Sequence, residues 1–326
     1  LAIPARMCVD AVRELCSEKN CKAVIIFSAG FNEESAEGAK LEKEIVEIVD
    51  KYGASLIGPN CIGVITNRYS GVFTQPTSNV SEKGIDIISG SGATVVFIME
   101  AAIKLGLTFS NVFSVGNSAQ LGVEEILEYL DENYVPGVSS PVKLLYIENI
   151  SKPHKLLKHA RSLILKGARI AAIKACYSEV GSRAASSHTG ALASPDTAVD
   201  ALFRKAGIIR AYGRDELVNI ASVLTYHAPK GRKMAIVTHA GGPAVMLTDV
   251  LSSNGIEIPK IEGEDAQQLL SKLFHGSSVS NPIDFLATGT PQQLGEIIDA
   301  CENKFDVDAI TVIFGMEIQN KLYSYN

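Results

Sequence analysis

The chain has no apolar run longer than a strand: segments such as Val24-Ile25-Ile26-Phe27 and Ile87-Ile88 fall far short of the roughly 20 residues that span a bilayer. That leaves no candidate membrane or signal segment, and a cytoplasmic address is the expectation. It also lacks any dense basic run, and its 30 basic and 36 acidic residues give a net charge of −6, which argues against nucleic acid as a partner. Cysteine is scarce. Cys8, Cys16, Cys21, Cys61, Cys176 and Cys301 form no CxxC pair and are too few to staple a chain of this length, so reduced thiols in a reducing compartment are expected. The absence of a GxSxG elbow removes the main support for a serine hydrolase.

What is present is a large apolar fraction, 46% of 326 residues, enough for two or three domains with substantial cores. Short β-branched runs alternate with amphipathic stretches, the pattern of a parallel sheet covered on both faces. Strands are expected at Ala23–Phe27, 54–57, 85–89, 111–115, 142–147, 169–174, 233–238 and 308–314, with a helix from Ser35 to Lys51. Leu1-Ala2-Ile3-Pro4 reads as the start of a further strand. The alternation lapses in the polar stretch 66–84 and again around Tyr226–Gly231, which divides the chain into units at 1–75, 76–228 and 229–326. Both ends look cut, and the third unit, with its alternation incomplete, is expected to be truncated.

Ligands of doubly wound sheets collect beyond the carboxyl ends of strands, and three loops stand out there. In Ser89-Gly90-Ser91-Gly92-Ala93, Ser91 is placed to cap a helix whose first N–H groups are left for an anion; a plain turn is the alternative. Thr238-His239-Ala240-Gly241-Gly242-Pro243 offers the same features, with Pro243 suited to the first helical position and His239 read as a capping or packing residue. The third loop, 175–194, carries His188 among small residues, ahead of a helix with Ser194 as its cap and Val199, Leu202, Phe203 and Ala206 on its buried face. His188 has no Cys, Asp or Glu at metal-ligand spacing. It is either a solvated loop residue or a nucleophile toward phosphorus, the anion being held by the glycine-rich helix starts.

With SAGF at 28–31, IGPNCIGV at 57–64, SGSGA at 89–93, SVGN at 114–117, KACYSEVGSRAASSHTGALA at 174–193, THAGGPAV at 238–245 and NPIDF at 281–285, the chain resembles the NDP-forming acyl-CoA synthetases. The likeness is to the α subunit or α-like half of the ADP-forming acetyl-CoA synthetases, relatives of succinyl-CoA synthetase. It implies an α/β fold of three doubly wound units: the distal part of a Rossmann-like CoA-binding domain, then two flavodoxin-like domains. By resemblance His188 carries a phosphoryl group, Glu148 holds its other ring nitrogen, and Ser91, Gly92 and Ala93 with Gly241 and Gly242 cradle the phosphate from two helix N-termini. Pro4, Ala5, Ser28, Ala29, Gly30, Pro59 and Asn60 match segments that line the CoA site. Cys61 is expected to be a packing residue beside that ligand.

Two departures bear on these implications: the glycine-rich unit that opens the CoA-binding domain is absent, and Cys176-Tyr177 replaces a glycine-basic pair. The resemblance further implies CoA, phosphate and ADP/ATP with Mg²⁺ as cofactors, the nucleotide and Mg²⁺ belonging to an ATP-grasp domain or β subunit outside this chain, and an oligomer. The alternative is a catalytically inactive acyl-CoA-sensing or regulatory module of a protein acyltransferase.

Overall fold

The computed structural model describes residues 1–75, 77, 80–178, 180 and 196–314, and the chain divides into Leu1–Tyr226 and His227–Asn326. The first unit opens with α1 (Ala5–Ser17), β1 (Ala23–Ile25), α2 (Ala36–Lys51) and β2 (Ser55–Ile57). β1 and β2 pair in parallel, and Cys8, Val12, Cys16, Ile45 and Val49 of the helices close over Val24, Ile26 and Leu56. Ser35 caps α2 by accepting the Gly38 N–H at 3.0 Å. The strand expected at Leu1–Pro4 is not formed. Pro4, at φ −53°, instead precedes the first residue of α1, while the Leu1 carbonyl accepts the Phe27 N–H at 2.9 Å.

Downstream lie β3 (Gly63–Ile65), β4 (Ser70–Val72), β5 (Val80–Ser89), α3 (Gly92–Lys104), β6 (Phe109–Ser114), α4 (Val123–Glu132), β7 (Val142–Ile147), α5 (Pro153–Leu165), β8 (Arg169–Lys174), α6 (Asp196–Ala206), β9 (Ile209–Ala211) and α7 (Arg214–Leu224). The strands form one seven-stranded sheet in the order β4-β3-β6-β5-β7-β8-β9. Its five strands from β6 to β9 are parallel, and β3 and β4 add an antiparallel edge. The polar stretch 66–84 therefore contains β4 and the start of β5. The sheet is wound on both faces, and alternate strand residues serve opposite cores. Ile88, Leu145, Ile147, Ile170 and Ala172 meet α4, α5 and α6, whereas Ile87, Leu144, Ala171 and Ile173 meet α3 and α7.

One polar row crosses this apolar sheet near the amino ends of its strands. Asp86 of β5 stands in register with Asn111 of β6 and Lys143 of β7. Its carboxylate accepts from Asn111 Nδ2 at 2.6 Å and pairs with the Lys143 ammonium, which also donates to the Ser140 carbonyl at 2.6 Å. Both members of the pair are almost wholly buried. Burial pushes the Asp86 carboxyl up and the Lys143 ammonium down despite their attraction, as expected where desolvation offsets the Coulomb gain.

The second unit is built from β10 (Met234–Thr238), α8 (Gly241–Ser253), α9 (Glu264–Leu270), β11 (Ile283–Asp284), α10 (Pro291–Asn303) and β12 (Ala309–Ile313), its strands parallel in the order β11-β10-β12. Val237, Leu269, Ile283, Phe285, Ile297 and Cys301 form its core. Asn281 of the NPIDF motif ties the unit together: its Oδ1 accepts the Ile236 N–H at 3.0 Å and its Nδ2 donates to the carbonyls of Met234 and Pro259 at 3.0 and 2.9 Å. Among the described residues no helix is long and apolar enough to cross a membrane.

The Asp86–Lys143 pair generates a stability prediction. Asp86→Ala strands a buried ammonium and should cost about 3–5 kcal/mol in urea unfolding, whereas Asp86→Leu combined with Lys143→Met should cost far less. Equal losses in the two variants would show that the pair has no special weight.

Candidate functional site

In each unit the strand order reverses around one central strand, β5 in the first and β10 in the second, so each has a crevice at that strand's carboxyl end. The turns there are built alike. The hydroxyl of Ser89, the last residue of β5 and fully buried, accepts the Ser91 N–H at 3.1 Å and donates to the Ser91 carbonyl at 2.7 Å. Thr238, the last residue of β10 and equally buried, accepts the Ala240 N–H at 3.0 Å and donates to the Ala240 carbonyl at 2.9 Å. A helix starts immediately afterwards in both cases. Ser91 caps α3 by accepting the Thr94 N–H at 3.4 Å, as its position predicts, and leaves the N–H groups of Gly92 and Ala93 at the helix entrance. The cap of α8 is Ala240, which makes no side-chain cap bond, so Gly241 and Gly242 present their N–H groups at the exposed tip. Pro243 occupies the third helical position rather than the first, where an N–H is equally dispensable. His239 is buried and stacks on Phe314 with ring centroids 5.3 Å apart, a packing residue as expected.

Glu148 lies just past the carboxyl end of β7, beside the β5 turn. Gly90 donates to the Tyr146 carbonyl at 3.1 Å, and a Cβ on Gly90 would sit 4.0 Å from Glu148 Cγ. The Tyr146 phenol is pushed up by burial and by the Glu148 carboxylate, against a hydrogen bond with Thr94 on the first turn of α3. Next along the sheet, Lys174 at the end of β8 is 2% exposed, and its ammonium is pushed down by burial although Cys176, Asp196 and Glu148 all favour the charge. Cys176 adopts φ +62°, the left-handed conformation that glycine accommodates without strain. His188 lies outside the described residues. At the end of β8, Lys174 pairs with Ile147 of β7.

The residues matched to a CoA site come together at the carboxyl ends of β1 and β2. Ser28 Oγ donates to the Ile3 carbonyl at 2.5 Å, next to Pro4 and Ala5, and its own carbonyl accepts the Asn60 N–H at 2.9 Å. Gly30, at φ +102°, passes so close to Ala5 that a Cβ there would lie 3.1 Å from the alanine methyl. Ala29 and Asn60 are exposed and Pro59 is buried. Cys61 is buried against the Ile26 carbonyl, with its thiol pushed up to about 11 by burial. It is held as a thiol at neutral pH, as a packing role requires. Sequence reasoning missed the two hydroxyl clamps, whose only signal is a Ser or Thr two residues before a helix cap. It also gave no role to Asn117 of the SVGN motif, although that side chain touches Asn60, Glu33 and Glu42.

Parallel strands in the order β6-β5-β7-β8-β9, with a glycine-rich turn at the point of reversal, define a doubly wound flavodoxin-like domain. The profile of the family "Succinyl-CoA ligase like flavodoxin domain" matches residues 82–224. The "Acetate--CoA ligase [ADP-forming] I subunit alpha" of Pyrococcus furiosus is 32% identical over 319 residues, covering 96% of this chain and 67% of that protein. The "Acetate--CoA ligase [ADP-forming] I" of Archaeoglobus fulgidus is 34% identical over 315 residues, covering 96% of this chain and 45% of that protein. The chain belongs to the family of the ADP-forming acetate–CoA ligases and their α subunits, and spans less than half the length of the latter relative. The fold is also that of the Ca. Korarchaeum cryptofilum dinucleotide forming Acetyl-coenzyme A synthetase 1 in complex with phosphate and ADP, with a TM-score of 0.81 at 23% identity over 99% of this chain and 76% of that one.

The clamps and the buried thiol are open to measurement. Ser89→Ala and Thr238→Val each leave a buried turn without its side-chain bonds and should lower stability by about 1–2 kcal/mol in denaturant titrations. A cost near zero in both would remove the clamp from the account of these turns. Under native conditions at pH 8, Cys61 should stay unalkylated while the half-exposed Cys21 reacts; labelling of Cys61 at a comparable rate would contradict its burial.

Proposed function

We propose that this chain is the acyl-transfer and phosphoryl-carrier portion of an NDP-forming acyl-CoA synthetase, interconverting acyl-CoA, ADP and phosphate with a carboxylic acid, CoA and ATP. A phosphate oxygen attacks the thioester carbonyl, the C–S bond breaks, and CoA leaves as the thiol while an acyl phosphate forms. A ring nitrogen of His188 then attacks phosphorus, and the acid leaves as its carboxylate. In the last step ADP takes the phosphoryl group and the P–N bond breaks. The ADP-binding ATP-grasp part, where Mg²⁺ would neutralise the phosphates, is either a β subunit or a further stretch of the same polypeptide.

The observation that carries this reading is the adjacency of Gly90 and Glu148, a Cβ on the glycine reaching to 4.0 Å from Glu148 Cγ. It brings the entrance of α3, with its free N–H groups, and a carboxylate to one point at the end of the sheet. The N–H groups suit the dianionic phosphoryl group, and the partial positive charge of the helix end adds to them. A carboxylate on one imidazole nitrogen fixes the tautomer, leaves the other lone pair for phosphorus and stabilises the cation that results. The entrance of α8, in the second unit, offers the same chemistry to an anion. The residues at 4–5, 28–30 and 59–60 are assigned to CoA, and the buried position of Lys174 near Glu148 adds positive charge at the end where anionic intermediates form.

The test uses the full-length protein with its ATP-grasp part. Incubation with Mg-ATP should place an acid-labile phosphate on His188 that a carboxylic acid plus CoA discharges, and His188→Ala should abolish it. Glu148→Gln should slow its formation roughly 100-fold without weakening ATP binding. No phosphate in an assembly shown to bind ATP would overturn the carrier role.

A further inference from the structure

Asn117 stands three residues past the carboxyl end of β6, the strand beside β5, and it bonds Pro59 and Asn60 of the segments assigned to CoA and two carboxylates, Glu33 and Glu42. Its backbone N–H donates to the Pro59 carbonyl at 2.9 Å, and its Oδ1 accepts from Asn60 Nδ2 at 3.3 Å. Its own Nδ2 donates to Glu33 at 2.5 Å and to Glu42 of α2 at 2.9 Å. Glu33 in turn accepts the N–H groups of Gly30 and Phe31 at 2.7 and 3.3 Å. An amide has two N–H donors, and here both are spent on carboxylates, so the amide cannot flip and its oxygen is committed to Asn60. The neighbouring Gly116, at φ +54°, lets the two backbones approach: a Cβ there would fall 2.1 Å from the Pro59 carbonyl oxygen.

The same junction reaches the phosphate turn. Val115 donates to the Ser89 carbonyl at 2.9 Å, and Ser114 Oγ accepts the Ile62 N–H at 3.2 Å. Pro59, Asn60 and Asn117 are therefore the part of the CoA segments adjoining the end of β5. Chemistry requires the thioester carbon and the phosphate to meet, so the reactive end of CoA belongs where these two sets of residues adjoin.

We infer that Asn117, oriented by Glu33 and Glu42, is a positioning residue that sets Asn60 and Pro59 at the thioester end of CoA. This rests on the acyl-CoA synthetase reading given above. The Glu33–Asn117–Asn60 chain ties the 28–31 and 58–61 loops to one amide, so the two loops that hold CoA keep a fixed spacing relative to the end of β6. Its partners lie 75 and 84 residues away in the sequence, so no local turn or helix depends on it.

Asn117→Asp turns the donor toward Glu33 and Glu42 into a third carboxylate, and Glu42→Gln on the same chain restores one donor–acceptor match with the roles exchanged. In the full-length protein with its ATP-grasp part, N117D should raise the KM for CoA about tenfold or more and weaken CoA binding in calorimetry to match. His188 phosphorylation by Mg-ATP should stay within about twofold of wild type, since that step uses none of these contacts. The N117D/E42Q variant should recover most of the CoA affinity. An unchanged KM in N117D overturns the proposal. So does an equal loss in phosphorylation, which marks a general structural defect, or a double variant no better than the single one. A wild-type enzyme that accepts phosphate on His188 but neither binds nor uses CoA would instead overturn the CoA assignment, and this proposal with it.

Discussion

The side-chain oxygens of Ser89 and Thr238 set up the turn at the end of β5 in the first unit and the turn at the end of β10 in the second. A strand that runs straight into a helix has to reverse within two or three residues while leaving the first N–H groups of the helix unspent. Ordinarily some of those donors are used up in making the turn. Here a buried hydroxyl satisfies both the N–H and the carbonyl of the residue two positions on, and the turn closes without drawing on the helix. The N–H groups of Gly92, Ala93, Gly241 and Gly242 stand at the first positions of the two helices, where no intrahelical partner exists for them.

Around the first of these turns, the parallel sheet supplies the remaining groups by register alone. β5, β7 and β8 end level with one another, so Gly90, Glu148 and Lys174 come to one end without any loop having to be long. The antiparallel β3 and the residues before it bring the 58–61 segment to the same end, against β6. Four separate stretches of sequence are thereby brought to one end by strand pairing.

The alternation of strands and helices was legible because parallel strands buried on both faces must be continuously apolar, and the helix starts were legible where Ser91 or Ser35 supplied a cap. α1 was not, because its buried stripe of Cys8, Val9, Val12 and Cys16 depends on cysteines packing as apolar residues and because Pro4 suits a strand end as well as a helix entrance. Glu148, Ser91 and the glycines could be named by resemblance to a family. Asn117 could be quoted within a motif but given no role, since its partners Glu33 and Glu42 lie far away along the chain and nothing local marks them. The clamps needed the last residue of a strand to be known to within one position, which periodicity does not provide. His188 lies outside the described residues.

Asp86 has a further significance within β5. Three residues at about 3.3 Å each place it roughly 10 Å from Ser89, within the same dry sheet that leads to the Ser89 turn. An uncompensated carboxylate at that distance would raise the energy of a bound negative charge by nearly 2 kcal/mol at an effective dielectric constant of about 20. Lys143 cancels that field at its source. The ion pair thus acts as electrical insulation for the strand, allowing an acidic side chain to remain in the core without being felt at the strand's carboxyl end.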